Sequence, residues 1–181
     1  MEFSTRWLRA AAAVALVVAA PVAVQAAGVL DLMRSLPDKE TVTEADAVKA
    51  AAVLVGERQH ATDVAACETR LRERGILDAG DSYTAARKCN KGFASMLFAR
   101  GMGLKGGWAA RLTGKMGPRL AYKELAFLDI VPPMGERDLL TGGELLAMLK
   151  LSQDYVRGEQ LQKQGKKDYY KRQDERYGHG R

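Results

Sequence analysis

An all-α fold is expected, built from two helix–loop–helix repeats plus an N-terminal helix. Three observations lead there. No stretch alternates β-branched and polar residues, so no strand of sheet-forming length is predicted. Apolar residues recur at helical spacing between recognisable start and stop signals. Two stretches of the chain also match in order and spacing, as expected of a unit that buries its apolar face against a copy of itself.

The elements follow in order. Arg6 and Arg9 precede an Ala/Val/Leu run from Ala10 to Ala20, then Pro21 and the small-residue triplet Val24-Gln25-Ala26. This order of charge, apolar run and small-x-Ala is that of a cleavable secretory signal peptide over residues 1–26, and the run is too short to span a membrane. Residues 27–42 read as a lead-in closed by Leu36-Pro37-Asp38. Thr43, with Asp46 three residues on, starts a helix that ends at Gly56. Thr62 is expected to cap the next, with Val64, Cys67 and Leu71 on one face and Gly75 as its left-handed stop. Asp78 to Ser82 is a polar turn. A further helix begins near Asn90, with Phe93, Met96 and Leu97. Gly101 to Gly107 is a glycine-rich break, and Trp108 to Leu112 is expected as a short helix. Arg119 to Leu128 is helical, Ile130-Val131-Pro132-Pro133 ends it, and Thr141 opens the last helix, rich in Leu and Met. The repeat domain covers residues 43–156. Residues 157–181 form a basic tail, read as a frayed helix that becomes disordered from about Gly165.

Charge is unevenly placed. The net charge is +6, and eight Lys or Arg stand against four acids from Arg157 to Arg181. The body is near neutral, which argues against a nucleic-acid-binding face. A basic tail outside the cytoplasm suits contact with anionic envelope polymers or headgroups, or simple solubility. Cys67 and Cys89 are the two cysteines of a chain expected in an oxidising compartment, so a disulfide between them is expected.

Catalytic signatures are sparse. Gly101-x-Gly103-x-x-Gly106 matches a dinucleotide fingerprint in letters, but a helix rather than a strand precedes it, so it reads as a connector. His60 and His179 have no ligand at metal-binding spacing, and no nucleophile elbow is present. Neither a metal nor a cofactor is expected. Trp108, Arg111 and Lys115, with Lys105, mix an aromatic ring with cations in a way that fits a sugar carrying anionic groups; the alternative is Trp108 packed between copies.

The repeat pairs Leu71-Arg-Glu-Arg-Gly-Ile-Leu77 with Leu125-Ala-Phe-Leu-Asp-Ile-Val131, and Phe93-Ala-Ser-Met-Leu97 with Leu145-Leu-Ala-Met-Leu149. A helix closed by Gly-Ile-Leu, a polar loop and then a Thr-x-x-Glu-Leu helix resembles the S-layer homology module. The resemblance covers roughly residues 62–156 as two degenerate copies, with a third not visible unless the helix at Ala45 to Val55 is its remnant. That family's modules pack in threes and bind cell-wall polysaccharide. The family's Thr-Arg-Ala-Glu becomes Thr141-Gly142-Gly143-Glu144, without the Arg, and on this pairing Cys89-Asn90-Lys91-Gly92 in the other copy has lost the motif. The resemblance implies an exported, non-catalytic cell-envelope module whose partner is cell-wall polymer or an envelope protein, with Thr141 and Glu144 beside the Trp108 cluster as polymer-binding candidates. A helical adaptor for a protein partner is the alternative, and a small exported hydrolase using surface carboxylates is a third.

Overall fold

Helices α2 to α6 are each started by a side chain or a proline near the first turn, and the caps decide where the loops can go. A computed structural model describes residues 28–105, 116–133 and 135–177, with the backbone alone at 161 and 163–177. The expected signal peptide lies outside the described residues. The fold is all-α. Helix α1 covers 28–35, α2 Glu44–Leu54, α3 Val64–Glu73, α4 Lys91–Gly101, α5 Pro118–Phe127 and α6 Gly142–Tyr177, with a single 3₁₀ turn at Arg58–His60. Among the described residues there is no strand, only the isolated bridges Thr43 with Lys88 and Asn90 with Leu139.

Helix α2 opens on the capping box that its sequence predicts. The Thr43 amide donates to Asp46 Oδ2 at 2.9 Å and the Asp46 amide donates to Thr43 Oγ1 at 3.3 Å. Helix α6 opens the same way: the Thr141 amide reaches Glu144 Oε2 at 3.0 Å and the Glu144 amide reaches Thr141 Oγ1 at 3.2 Å. Asn90 caps α4 by accepting from the Phe93 amide at 2.8 Å. Asp63, not Thr62, caps α3, its Oδ1 accepting from Ala65 and Ala66. Pro118 occupies the first turn of α5, where a missing N–H costs nothing.

The helix ends fall into two matching pairs. At the end of α3 the amides of Ile76 and Leu77 both donate to the Leu71 carbonyl, and Gly75 has φ 66°. At the end of α5 the amides of Ile130 and Val131 both donate to the Leu125 carbonyl, and Asp129 has φ 56°. Helices α2 and α4 close with left-handed glycines, Gly56 at 91° and Gly103 at 71°, after which the Glu57 amide reaches Ala52 O and the Leu104 amide reaches Ala99 O. The same step along the chain carries Thr43 to Asn90, Ala52 to Ala99 and Gly56 to Gly103.

The residue before each of these three caps enters a closed ring of backbone hydrogen bonds. The Val42 amide donates to Leu140 O, the Leu140 amide to Cys89 O and the Cys89 amide to Val42 O, each at 2.9 Å. All three residues are buried. A second ring lies one turn outward, where the first amide of each helix meets a carbonyl of the neighbouring loop. Glu44 donates to Arg87 O at 2.8 Å, Lys91 to Asp138 O at 3.0 Å and Gly142 to Lys39 O at 2.9 Å. Helices α2, α4 and the start of α6 therefore leave one hub. Their inner faces form the core: Ala47, Ala50 and Ala51 of α2, Ala94, Leu97 and Phe98 of α4, and Leu145, Met148 and Leu149 of α6. Helix α5 packs along α4, and α3 along α2.

Two terminal segments are helical, and one expectation, the disulfide, needs correction. The lead-in is helical over 28–35, because Leu32 and Leu36, one turn apart, are both buried in the core. The tail is helical to Tyr177. Residues 159–177 contain no proline and are mostly Gln, Lys, Arg and Glu, which lose little rotamer freedom in a helix. The expected disulfide is absent: Cys67 and Cys89 are both free and buried. The Cys67 thiol donates to His60 O at 3.0 Å and the Cys89 thiol to Asn90 O at 3.3 Å. One cysteine packs α3 onto the core and the other belongs to the hub, so each acts as a small apolar residue. Burial pushes the Cys67 thiol up to about 11 and the Cys89 thiol up to about 12.

Candidate functional site

The hub leaves the starts of α2 and α4 closed to ligands. Their first amides are spent on loop carbonyls, and the second amides of α2 and α4 also donate, Ala45 to Ala85 O at 3.2 Å and Gly92 to Glu136 O at 2.8 Å. An anion would find no free N–H there. What the hub opens instead is a cleft beside it.

That cleft, of about 570 Å³, lies between the loop at 80–87, the first turns of α4, Pro118 and the loop at 136–137. Its back wall is the Glu44 carboxylate, whose side chain is 1% exposed while that of Arg87 is 44% exposed. Arg87 holds it through Nε to Oε1 at 2.7 Å and Nη2 to Oε2 at 3.0 Å, and the Thr84 amide donates to Oε2 at 2.9 Å. Hydrogen bonding to Glu44 raises the Arg87 guanidinium further above its usual range. Arg87 also reaches Ser82 Oγ at 3.1 Å and the Ser82 carbonyl, which ties the loop to itself.

Asp81 on the opposite lip is likewise satisfied, by Arg100 Nη1 at 2.6 Å. Arg100 spans further than this pair: it donates to Ile76 O at 3.0 Å and Met116 O at 3.1 Å, so it fixes the lip of the cleft to the chain entering α5. Phe93 and Met96 supply the apolar lining, and the Phe93 ring stacks on Tyr83 with centroids 6.3 Å apart and planes 11° from parallel. Tyr83 turns its hydroxyl into the protein, where it is buried without a hydrogen-bond partner, and burial raises its pKa. Glu136 and Arg137 complete the mouth, and Arg137 is exposed with no ion-pair partner among the described residues.

Chemically, this cleft presents carboxylates and guanidinium groups together, Glu44, Asp81 and Glu136 with Arg87 and Arg137. Glu44 and Asp81 are both committed to guanidinium groups, so neither has the free geometry of a general base. Neither histidine nor cysteine lines it. Among the described residues no cluster of His, Cys, Asp and Glu is arranged to hold a metal ion. It offers the half-exposed guanidinium of Arg87 and the exposed one of Arg137 over an apolar patch, the combination that orients a polyhydroxylated or anionic ligand.

The sequence-predicted site residues divide. Thr141 and Glu144 form the α6 capping box, and Glu144 also takes Lys91 Nζ at 2.7 Å. Burial pushes the Glu144 carboxyl up, but the hydrogen bonds from Lys91 and Thr141 outweigh it and hold the group below its usual value. The pair fastens α6 to α4 and does not line the cleft. Trp108, Arg111 and Lys115 lie outside the described residues. Glu44, Arg87, Asn90 and Arg137 were not singled out as site residues by the sequence. Asn90 carried a usable signal, an N-cap residue directly before an apolar helix, which aligns it rather than Cys89 with Thr141. In that register Glu44, Lys91 and Gly142 are equivalent, each following its cap.

Compared with known proteins, the chain matches no family model, no curated protein and no solved structure.

Proposed function

We propose that this chain is an exported, non-catalytic cell-envelope module made of three helix–loop–helix units, of the kind the S-layer homology resemblance implies, and that it binds cell-wall polymer in the cleft bounded by Arg87 and Arg137. The closed ring through Val42, Cys89 and Leu140 carries this reading. It joins three helix pairs, α1 with α2, α3 with α4 and α5 with α6, in the threefold manner in which modules of that family pack. The remnant at Ala45 to Val55, with α1 before it, supplies the unit that the two-copy description lacks. The family's arginine after the cap is replaced by Glu44, Lys91 and Gly142. Cations for an anionic polymer come from the loops instead, as Arg87 and Arg137.

The test is co-sedimentation of the chain, purified from the periplasm of an expressing host, with purified cell-wall sacculi across a salt series. Retention that falls with salt and is weakened at least severalfold by Arg137→Ala supports the proposal, since an exposed, unpaired arginine contributes nothing to the fold that its loss would disturb. No retention at any salt removes polymer binding and leaves the adaptor reading. The 85% exposure of Phe127, at the end of α5, favours that second reading, and crosslinking to an envelope protein that Phe127→Ser abolishes would establish it.

A further inference from the structure

A second groove lies at the end of α2 that points away from the hub. After Ser152, which is fully buried, α6 runs past that end, and a groove of about 270 Å³ lies between the two. Buried Val53 and half-buried Leu54 and Val156 give it an apolar lining. At Gly56 a Cβ would meet nothing within 4 Å, so the groove stays open where the chain leaves α2.

Three charged side chains line this groove and none is spent. Arg58 comes from the 3₁₀ turn, Asp154 and Arg157 from α6, and among the described residues no ion pair or hydrogen bond engages any of them. Asp154 and Arg157 stand three residues apart, a spacing at which helix-surface pairs form, yet they leave each other unpaired. The neighbouring charges are committed: Arg74 holds Glu57, Arg70 holds Glu73 and Arg72 holds Glu68. The carboxamides of Gln153 and Gln160 line the groove as well, also unengaged.

These groups together fit one kind of ligand. Two guanidiniums suit a carboxylate, and one carboxylate suits an ammonium. Carboxamides both donate and accept, as a peptide backbone requires, and the lining accepts small aliphatic side chains. A simple anion would be repelled by Asp154, and a simple cation by the two arginines. The volume is just under that of ordinary small-molecule sites, so the occupant is at most a few residues long.

We propose that this groove binds a short zwitterionic peptide, its carboxylate between Arg58 and Arg157 and its ammonium at Asp154, independently of the cleft. The experiment is titration of the full, isotope-labelled chain with trialanine, followed by amide chemical shifts. Shifts should centre on residues 53–58 and 153–160, with a dissociation constant on the order of 1 mM for so small a ligand in an open site. Acetylating the amine or amidating the carboxylate of trialanine should each weaken binding by about threefold to tenfold. Asp154→Asn should weaken binding of trialanine and leave that of its acetylated form unchanged; R58A/R157A should do the same with respect to the amidated form. None of the three side chains has a partner in the fold, so circular dichroism and melting temperature should hold in both variants. Arg137→Ala should leave trialanine binding unchanged, and its loss of sacculus retention would then concern the cleft alone. The stem tetrapeptide of cell-wall muropeptides shares the chemistry: tighter binding than trialanine through the same three residues assigns the ligand to the wall, weaker binding to free peptides. Absence of shifts, shifts centred elsewhere, equal affinity for the end-blocked peptides, or affinity indifferent to Asp154 and the two arginines would each overturn the proposal.

Discussion

The Cβ that Gly142 lacks would stand 1.6 Å from the carbonyl oxygen of Leu36. The first turn of α6 is thus pressed against the backbone that follows α1, where the Gly142 amide also donates to Lys39 O at 2.9 Å. Backbone cannot yield as a flexible side chain does. Gly142→Ala should therefore cost about 3 kcal/mol or more in chemical denaturation. Gly143→Ala, one residue on, meets nothing within 4 Å and should be neutral or slightly stabilising by helix propensity. Equal effects at the two positions would mean that α6 does not dock on this turn.

Acid should loosen the hub. Burial pushes the Asp46 carboxyl up, but the hydrogen bonds from Lys39 and Thr43 outweigh it, and the group is held below its ordinary 3.8. Glu144 is held below its ordinary 4.5 in the same way by Lys91 and Thr141. Carboxyls depressed in the folded state stabilise fully above their unfolded values, and that contribution disappears as pH falls through the folded ones. Melting temperature should hold from pH 6 to about 5 and decline below about 4. D46N/E144Q should flatten the decline and lose about 1 kcal/mol per cap at neutral pH. An unchanged acid limb in the double variant would place the acid sensitivity elsewhere.

Two free thiols per chain should be found by titration in denaturant and none in the native state. Both are buried, and burial raises their pKa values to about 11 and about 12, leaving almost no thiolate near neutral pH. Reductant should leave the melting temperature unchanged. A loss of two mass units reversed by reductant would show a bridge and contradict this arrangement.

Asp129 sits at φ 56° where its counterpart, Gly75, sits at 66°. A residue with a Cβ is strained there by roughly 1 kcal/mol. Asp129→Gly should raise stability by about 0.5–1 kcal/mol, partly offset by unfolded-chain entropy, whereas Gly75→Asp should lower it by a similar amount. Urea melts of both variants measure the pair, and a destabilising Asp129→Gly would mean that its side chain makes a contact worth more than the strain.

Local chemistry was readable. Thr43 with Asp46, Thr141 with Glu144, Asn90, Gly56 and Gly75 all stand where a chain start or stop needs a short polar oxygen or a missing Cβ, and those needs are met within three or four residues. Leu71–Leu77 and Leu125–Val131, paired with each other in the sequence, each fold back onto one carbonyl of their own helix, Leu71 and Leu125. Composition alone pointed away from strands. The expected bridge was not a local inference: it rested on compartment, which says nothing about whether Cys67 and Cys89 approach each other.

What only the tertiary structure decided is how the helix pairs meet. Val42, Cys89 and Leu140 share no residue type, and the property they share is a backbone N–H and C=O that must be satisfied once buried. Three such residues close a ring whichever side chains they carry, so the sequence holds no letter pattern for it. A register read from apolar residues put Phe93 opposite Leu145, one position away from the register set by the ring and the caps. The same indifference hid α1, whose Leu32 joins the core beside the Ala-rich face of α2. The cleft depends on that closure. Glu44 and Arg87 lie far apart in sequence, and their contact exists only because the loop before α4 crosses the start of α2.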